Sequence, residues 1–161
     1  MGGVKELLQY FLETSILYRM IRRYYDDALA GEPVGTGQLV FLMYIAKLPG
    51  ICPQELAKIG CFDRATVTKA LKKLIQEGYL RCEVDEKDRR SYHLYLTPKA
   101  EPLVEKCTQV RDGLCERLKQ LCKEEELETA KQVSHTFAAA LEQYLSVQKK
   151  QPQERRGKQH E

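Results

Sequence analysis

The sequence predicts a mainly α (α+β) chain in which one two-stranded hairpin interrupts a series of helices. Two observations carry this. Apolar residues recur at steps of three and four through most of the chain. Between Leu80 and Leu96 the period drops to two.

The first helix is expected over Val4–Leu29, where Leu7, Leu8, Phe11, Leu12, Leu17, Met20, Ile21 and Tyr24 keep the helical spacing. Gly31-Glu-Pro-Val-Gly35 breaks it. A second helix, Thr36–Lys47, is rich in apolar residues (Leu39, Val40, Leu42, Met43, Ile45) and should be buried on most sides. Pro49-Gly50 ends it. A short third helix, Pro53–Ile59, has proline at its first position, Glu55 three residues after Cys52, and Gly60 at its end. That is a capping box with cysteine in place of the better serine or threonine.

The fourth helix starts from Asp63, whose carboxylate suits the positive helix end. Val67, Leu71, Leu74 and Ile75 form its apolar stripe, with Lys69, Lys72, Lys73 and Gln76 opposite and Thr66 and Thr68 flanking. Gly78 is the expected terminating glycine. Leu80, Cys82 and Val84, then Tyr92, Leu94 and Leu96, alternate with more polar neighbours as two antiparallel strands do, and Cys82 should face the core. The charged segment Asp85-Glu-Lys-Asp-Arg-Arg90 joins them. Thr97-Pro98 restarts helix as cap and first turn. Leu103, Cys107, Val110, Leu114, Leu118 and Leu121 follow at steps of three and four, and a last helix is expected over Glu124–Val147. Residues 148–161 are almost wholly polar and read as a disordered tail. Residues 1–147 thus read as one domain, with a central lobe over about 36–97 flanked by helices over about 4–30 and 98–147.

Composition excludes some functions and localises others. No apolar run approaches a membrane span, no secretory signal is legible at the N-terminus, and a cytoplasmic protein is expected. The net charge of +3 says little by itself. Distribution says more: the fourth helix, Arg64–Gln76, carries four bases and no acid, and Lys87, Arg89 and Arg90 follow in the hairpin loop. None of the phosphate-loop, serine-hydrolase or zinc-protease motifs occurs, so no enzyme is expected. His93, His135 and His160 are scattered and the six cysteines form no C-x-x-C pair, so neither a metal nor another cofactor is expected.

A short helix, a turn and a basic-faced helix make a helix-turn-helix, and the hairpin after it makes a wing. The fold is therefore read as a winged helix-turn-helix. Double-stranded DNA is the partner such a pair of basic elements suits. Thr66 and Thr68 are short enough to meet base edges, while Arg64, Lys69, Lys72 and Lys73 supply positive charge for guanine edges or phosphates. Lys87, Arg89 and Arg90 are the candidates for entering the neighbouring minor groove; Asp88 can brace the wing by holding Arg90, which leaves one of the two arginines free for DNA. A winged helix serving only as a protein-interaction module has the same fold, without the positive helix and wing.

The chain resembles the multiple-antibiotic-resistance regulator (MarR-type) family. The likeness lies in Cys52-Pro-Gln-Glu-Leu-Ala-Lys-Ile59, Asp63-Arg-Ala-Thr-Val-Thr-Lys69, Leu74-Ile-Gln-Glu-Gly-Tyr-Leu80, and Asp88-Arg-Arg90 followed by Leu94-Tyr-Leu-Thr-Pro98. The resemblance implies a homodimer built by the first and last helices on a pseudo-palindromic operator, and repression relieved by a ligand or by cysteine oxidation. It places Thr66, Thr68, Lys69 and Lys72 in the reading helix, and Asp88 and Arg90 in the wing motif.

A dimer has a second warrant, because the first helix and the Leu103–Leu121 stripe offer more apolar surface than a small winged helix covers. Cys52, at a helix start, is the candidate for redox control. Cys107, Cys115 and Cys122 share one face and read as core. Tyr18, Tyr24, Tyr25 and Tyr44 are candidates for holding a small aromatic effector.

Overall fold

A computed structural model describes residues 2–85 and 91–157. The helices are α1 (Gly2–Ala28), α2 (Thr36–Lys47), α3 (Pro53–Ile59), α4 (Arg64–Gln76), α5 (Glu101–Leu121) and α6 (Glu124–Gly157). Strands β1 (Leu80–Val84) and β2 (Tyr92–Leu96) form the antiparallel hairpin between α4 and α5, with Leu80 opposite Leu96 and Cys82 opposite Leu94. The chain divides into two units, residues 1–112 and 113–161, and the division falls inside α5.

The core lies in the first unit. Phe41, Leu42 and Ile45 of α2, Leu56 of α3, Leu71 and Leu74 of α4, and Leu94 of β2 are almost wholly inaccessible. Leu29, Val34, Leu80 and Leu103 close it from the flanking elements. Each such side chain contributes on the order of 1.5–3 kcal/mol by leaving water, so burial, not helix propensity, holds the short α3 in place.

Local chemistry sets the ends as the residues suggest. The Cys52 Sγ accepts from the Glu55 amide at 3.5 Å, and the Glu55 carboxylate accepts from the Cys52 amide at 3.1 Å. Those bonds, the backbone one foremost, hold the Glu55 carboxyl below its usual range. At the end of α4, Gly78 takes φ +77. The Tyr79 amide then reaches the Leu74 carbonyl and the Gly78 amide reaches that of Ile75, which is the six-to-one and five-to-two pair of a Schellman end. Gly60 is needed for space, since a Cβ there would stand 2.0 Å from the Phe62 ring.

Five expectations are corrected. Ile75 is exposed and Ala70 takes its place in the buried stripe of α4; at about 100° per residue the two lie on opposite flanks of Val67, Leu71 and Leu74, and the body of the fold covers the Ala70 flank. Cys82 is exposed, because β1 leaves the core after Leu80 and a two-stranded hairpin has no second layer to cover its far end. Of the three cysteines read as core, Cys107 is buried and Cys115 is exposed, with Cys122 between. Thr97 makes no side-chain cap: its hydroxyl donates to the Gly78 carbonyl at 2.7 Å, and a 3-10 turn, Pro98–Ala100, precedes α5. Helix α6 continues to Gly157, beyond Val147, where the sequence reading ended it; the added residues are mostly straight-chain helix formers.

Candidate nucleic-acid interface

Helix α4 is fixed from three directions. Its buried stripe is Val67, Ala70, Leu71 and Leu74. Its C-terminal end is anchored by the bonds just described. At its N-terminal end the Asp63 carboxylate accepts from the Thr66 amide at 2.8 Å and from the Thr66 hydroxyl. These bonds, the hydroxyl first, hold the Asp63 carboxyl below its ordinary range. A side chain on the outer face of α4 therefore starts from a rigid support.

That outer face collects most of the residues named from sequence. At about 100° per residue, Ala65, Lys69, Lys72 and Gln76 point straight away from the buried stripe, and all four are exposed. Thr66 and Thr68 flank them, one on each side, and are exposed too. Both hydroxyls are already engaged: Thr68 donates to the Arg64 carbonyl at 2.7 Å. Each threonine thus offers its methyl group and an acceptor lone pair outward, rather than a donor. Lys73 stands 3.7 Å from the Glu77 carboxylate, which shares its charge. Arg64 opens the helix and is exposed. Ala65 was not singled out from sequence, because an alanine carries no polar signal; only the angular position of the buried stripe reveals it.

The hairpin stands beside this helix. Arg81 lies 4.5 Å from the ring centroid of its cross-strand partner Tyr95 and pairs with Glu83, so its charge is held close to the sheet. Lys87, Asp88, Arg89 and Arg90, the wing residues named from sequence, lie outside the described residues. Cys52 is half-buried in its capping box. Burial raises the thiol pKa of Cys107, and partial desolvation raises that of Cys82 although its surface is exposed. The four tyrosines take different settings: the Tyr24 hydroxyl donates to the Val110 carbonyl at 3.2 Å, Tyr25 meets Tyr24 edge-on, Tyr44 meets Phe62 edge-on, and Tyr18 faces solvent. Among the described residues no group of three or more histidine, cysteine or acidic side chains is placed to hold a metal ion, and no helix is long and apolar enough to cross a membrane.

Residues 36–92 match the MarR family model. The span runs from the first residue of α2 to the first of β2, so it contains all of α3, α4 and β1. Over that span the chain is MarR-like in sequence. Over 93 residues it is 33% identical to the HTH-type transcriptional regulator BilQ of Clostridium symbiosum, a match covering 58% of this chain and 65% of that protein. The chain thus spans a little less than two thirds of that curated relative. A MarR transcriptional regulator from Methanosarcina mazei Go1 superposes with a TM-score of 0.71 at 29% identity, covering 83% of this chain and 98% of that one. Streptococcus pneumoniae FabT, solved in complex with DNA, shares the fold with a TM-score of 0.70 at 23% identity, covering 86% and 97%. The mainly helical architecture with a two-stranded wing is that of the solved MarR-family structures. The family and the curated relative are transcriptional regulators, not enzymes.

Proposed function

We propose that this MarR-like protein is a homodimeric, sequence-specific DNA-binding transcriptional regulator whose α4 enters the major groove. The observation that carries the reading is the outer face of α4: exposed, basic, free of acidic residues, and braced by a buried stripe and two satisfied helix ends. The major groove is about 12 Å wide and admits such a helix. In this reading Lys69 and Lys72 meet phosphates or guanine edges, Arg64 and Lys73 add charge at the margins, and Thr66 and Thr68 approach base edges. Lys87, Arg89 and Arg90, braced by Asp88, are assigned the minor groove on the sequence argument alone.

The dimer is supported by apolar side chains left in water by one copy of the chain. In the first unit Leu8, Leu12, Leu17 and Met20 of α1 are all more than half exposed. In the second unit so are Leu121, Tyr144 and Leu145. Soluble proteins rarely leave so many large apolar side chains uncovered unless a partner covers them. A two-fold dimer also places two reading helices on one duplex, the usual route by which a single helix-turn-helix gains affinity. Repression relieved by a small aromatic effector is the regulatory mode proposed with it, the tyrosines of α1 and α2 being the residues that suit such a ligand. Selection of bound sequences from random duplex DNA tests the reading. A palindromic consensus with half-site centres about 10 bp apart is expected; recovery of no enriched sequence overturns it.

A further inference from the structure

His93 occupies a position that nothing so far explains. It is the second residue of β2, opposite Glu83 of β1, and its ring is partly buried. Each ring nitrogen faces an oxygen acceptor. Nδ1 lies 2.7 Å from the carbonyl oxygen of Gly50, in the turn between α2 and α3. Nε2 lies 2.9 Å from a carboxylate oxygen of Asp85, the residue that follows β1. The ring therefore bridges the body of the first unit and the outgoing strand of the hairpin, between groups 35 positions apart in the chain.

The chemistry of the bridge selects one protonation state. A neutral imidazole has one N–H and can donate to only one of the two oxygens; its other nitrogen then points a lone pair at an acceptor. The imidazolium donates to both. The surrounding charges agree. Asp85 faces the ring directly, Glu55 of α3 acts on it through space, and Glu83 across the strand is paired with Arg81. The Asp85 hydrogen bond first, and the Gly50 carbonyl second, raise the ring above the ordinary histidine range, against an opposing desolvation effect. Backbone bonds run along the same seam: the Gly50 amide donates to Leu94 O at 2.9 Å, and the Leu94 amide donates to Ile51 O at 3.1 Å. The side chain extends this seam outward to Asp85.

We propose that His93 is a positioning residue which, as an imidazolium, fastens the β1–β2 hairpin to the turn after α2, so that the protein's hold on duplex DNA weakens as the ring loses its proton. The proposal rests on the DNA-binding reading above. A group whose pKa is raised on folding contributes fully at pH below its unfolded value, about 6.5, and loses its contribution as pH rises through the raised value. The negative field of DNA also favours the charged ring, so binding and protonation support each other.

Two measurements test it. Duplex affinity, measured by fluorescence anisotropy on the selected operator, should weaken about three- to tenfold between pH 6 and pH 8.5, the scale of one lost hydrogen bond. His93→Gln keeps a side-chain donor but no charge, so its profile should be flat and lie near the wild-type alkaline value. Parallel profiles for wild type and H93Q would overturn the proposal. In the free protein, NMR titration should place the His93 ring above about 6.5, and Asp85→Asn should lower it; a ring at or below that value, or one indifferent to D85N, also overturns it. Because the second measurement uses no DNA, absence of duplex binding at every pH would count against the DNA-binding reading, while the titration still decides the tie.

Discussion

Replacing Lys69 and Lys72 together by alanine removes two charges from the middle of the outer face of α4. Both side chains are exposed, and no ion pair is formed by either among the described residues. Alanine is the best helix former, so the folded state should be unchanged or slightly steadier. Each lysine that neutralises a phosphate contributes about 0.9 to the slope of log K against log salt. A two-fold dimer presents four such lysines, so the double variant should lose about 3.6 from the slope. Extrapolated from a molar reference to about 0.15 M salt, that is about three log units, a roughly thousandfold weaker complex. A protein reading DNA through one helix alone would lose about 1.8 and roughly thirtyfold. Anisotropy titrations of the selected duplex at stepped salt, beside a circular-dichroism melt, separate these cases. An unchanged slope with unchanged affinity would refute the placement of α4 in the groove.

Leu74 is fully buried while its neighbour Ile75 is 36% exposed; Leu74→Ala should cost about 2–5 kcal/mol in urea denaturation, and Ile75→Ala about 0.5 kcal/mol or less. At Gly78 a Cβ would meet nothing within 4 Å, so Gly78→Ala isolates the strain of φ +77 and should cost about 1–2 kcal/mol by the same assay. Asp63→Ala should lower the urea midpoint at pH 7, with Asp63→Asn retaining most of the cap. Because the Asp63 carboxyl is held below its ordinary value, its contribution is present above about pH 4 and fades as the pH falls through that lowered value; the deficit of D63A should therefore shrink at pH 3. Leu17→Glu and Leu121→Glu place charge on the exposed apolar faces of α1 and of the end of α5; either should shift sedimentation from dimer towards monomer, and a persistent dimer in both would remove those faces from the interface.

The order of elements was legible from the residues, because the signals are local. A run of period 3.6 or period 2, a cap residue and a terminating glycine each act within a few positions. Asp63 and Gly78 bracket α4 for reasons confined to their own turns, and Cys52 with Glu55 makes a capping box despite the weaker sulfur acceptor. The basic face of α4 was legible too, since a helix puts every third and fourth residue on one side.

Which surface another element covers is set by packing, and several features depend on it. Cys82 and Leu94 are cross-strand partners with similar local patterns, yet only Leu94 lies over the core. Ile75 and Ala70 differ by where the body meets the helix, a direction that apolar character alone does not set. Ala65 joins the outer face for the same reason. His93 shows it most directly: its partners Gly50 and Asp85 come from separate parts of the chain, and only the packing of β2 against the turn after α2 brings their oxygens to its two nitrogens.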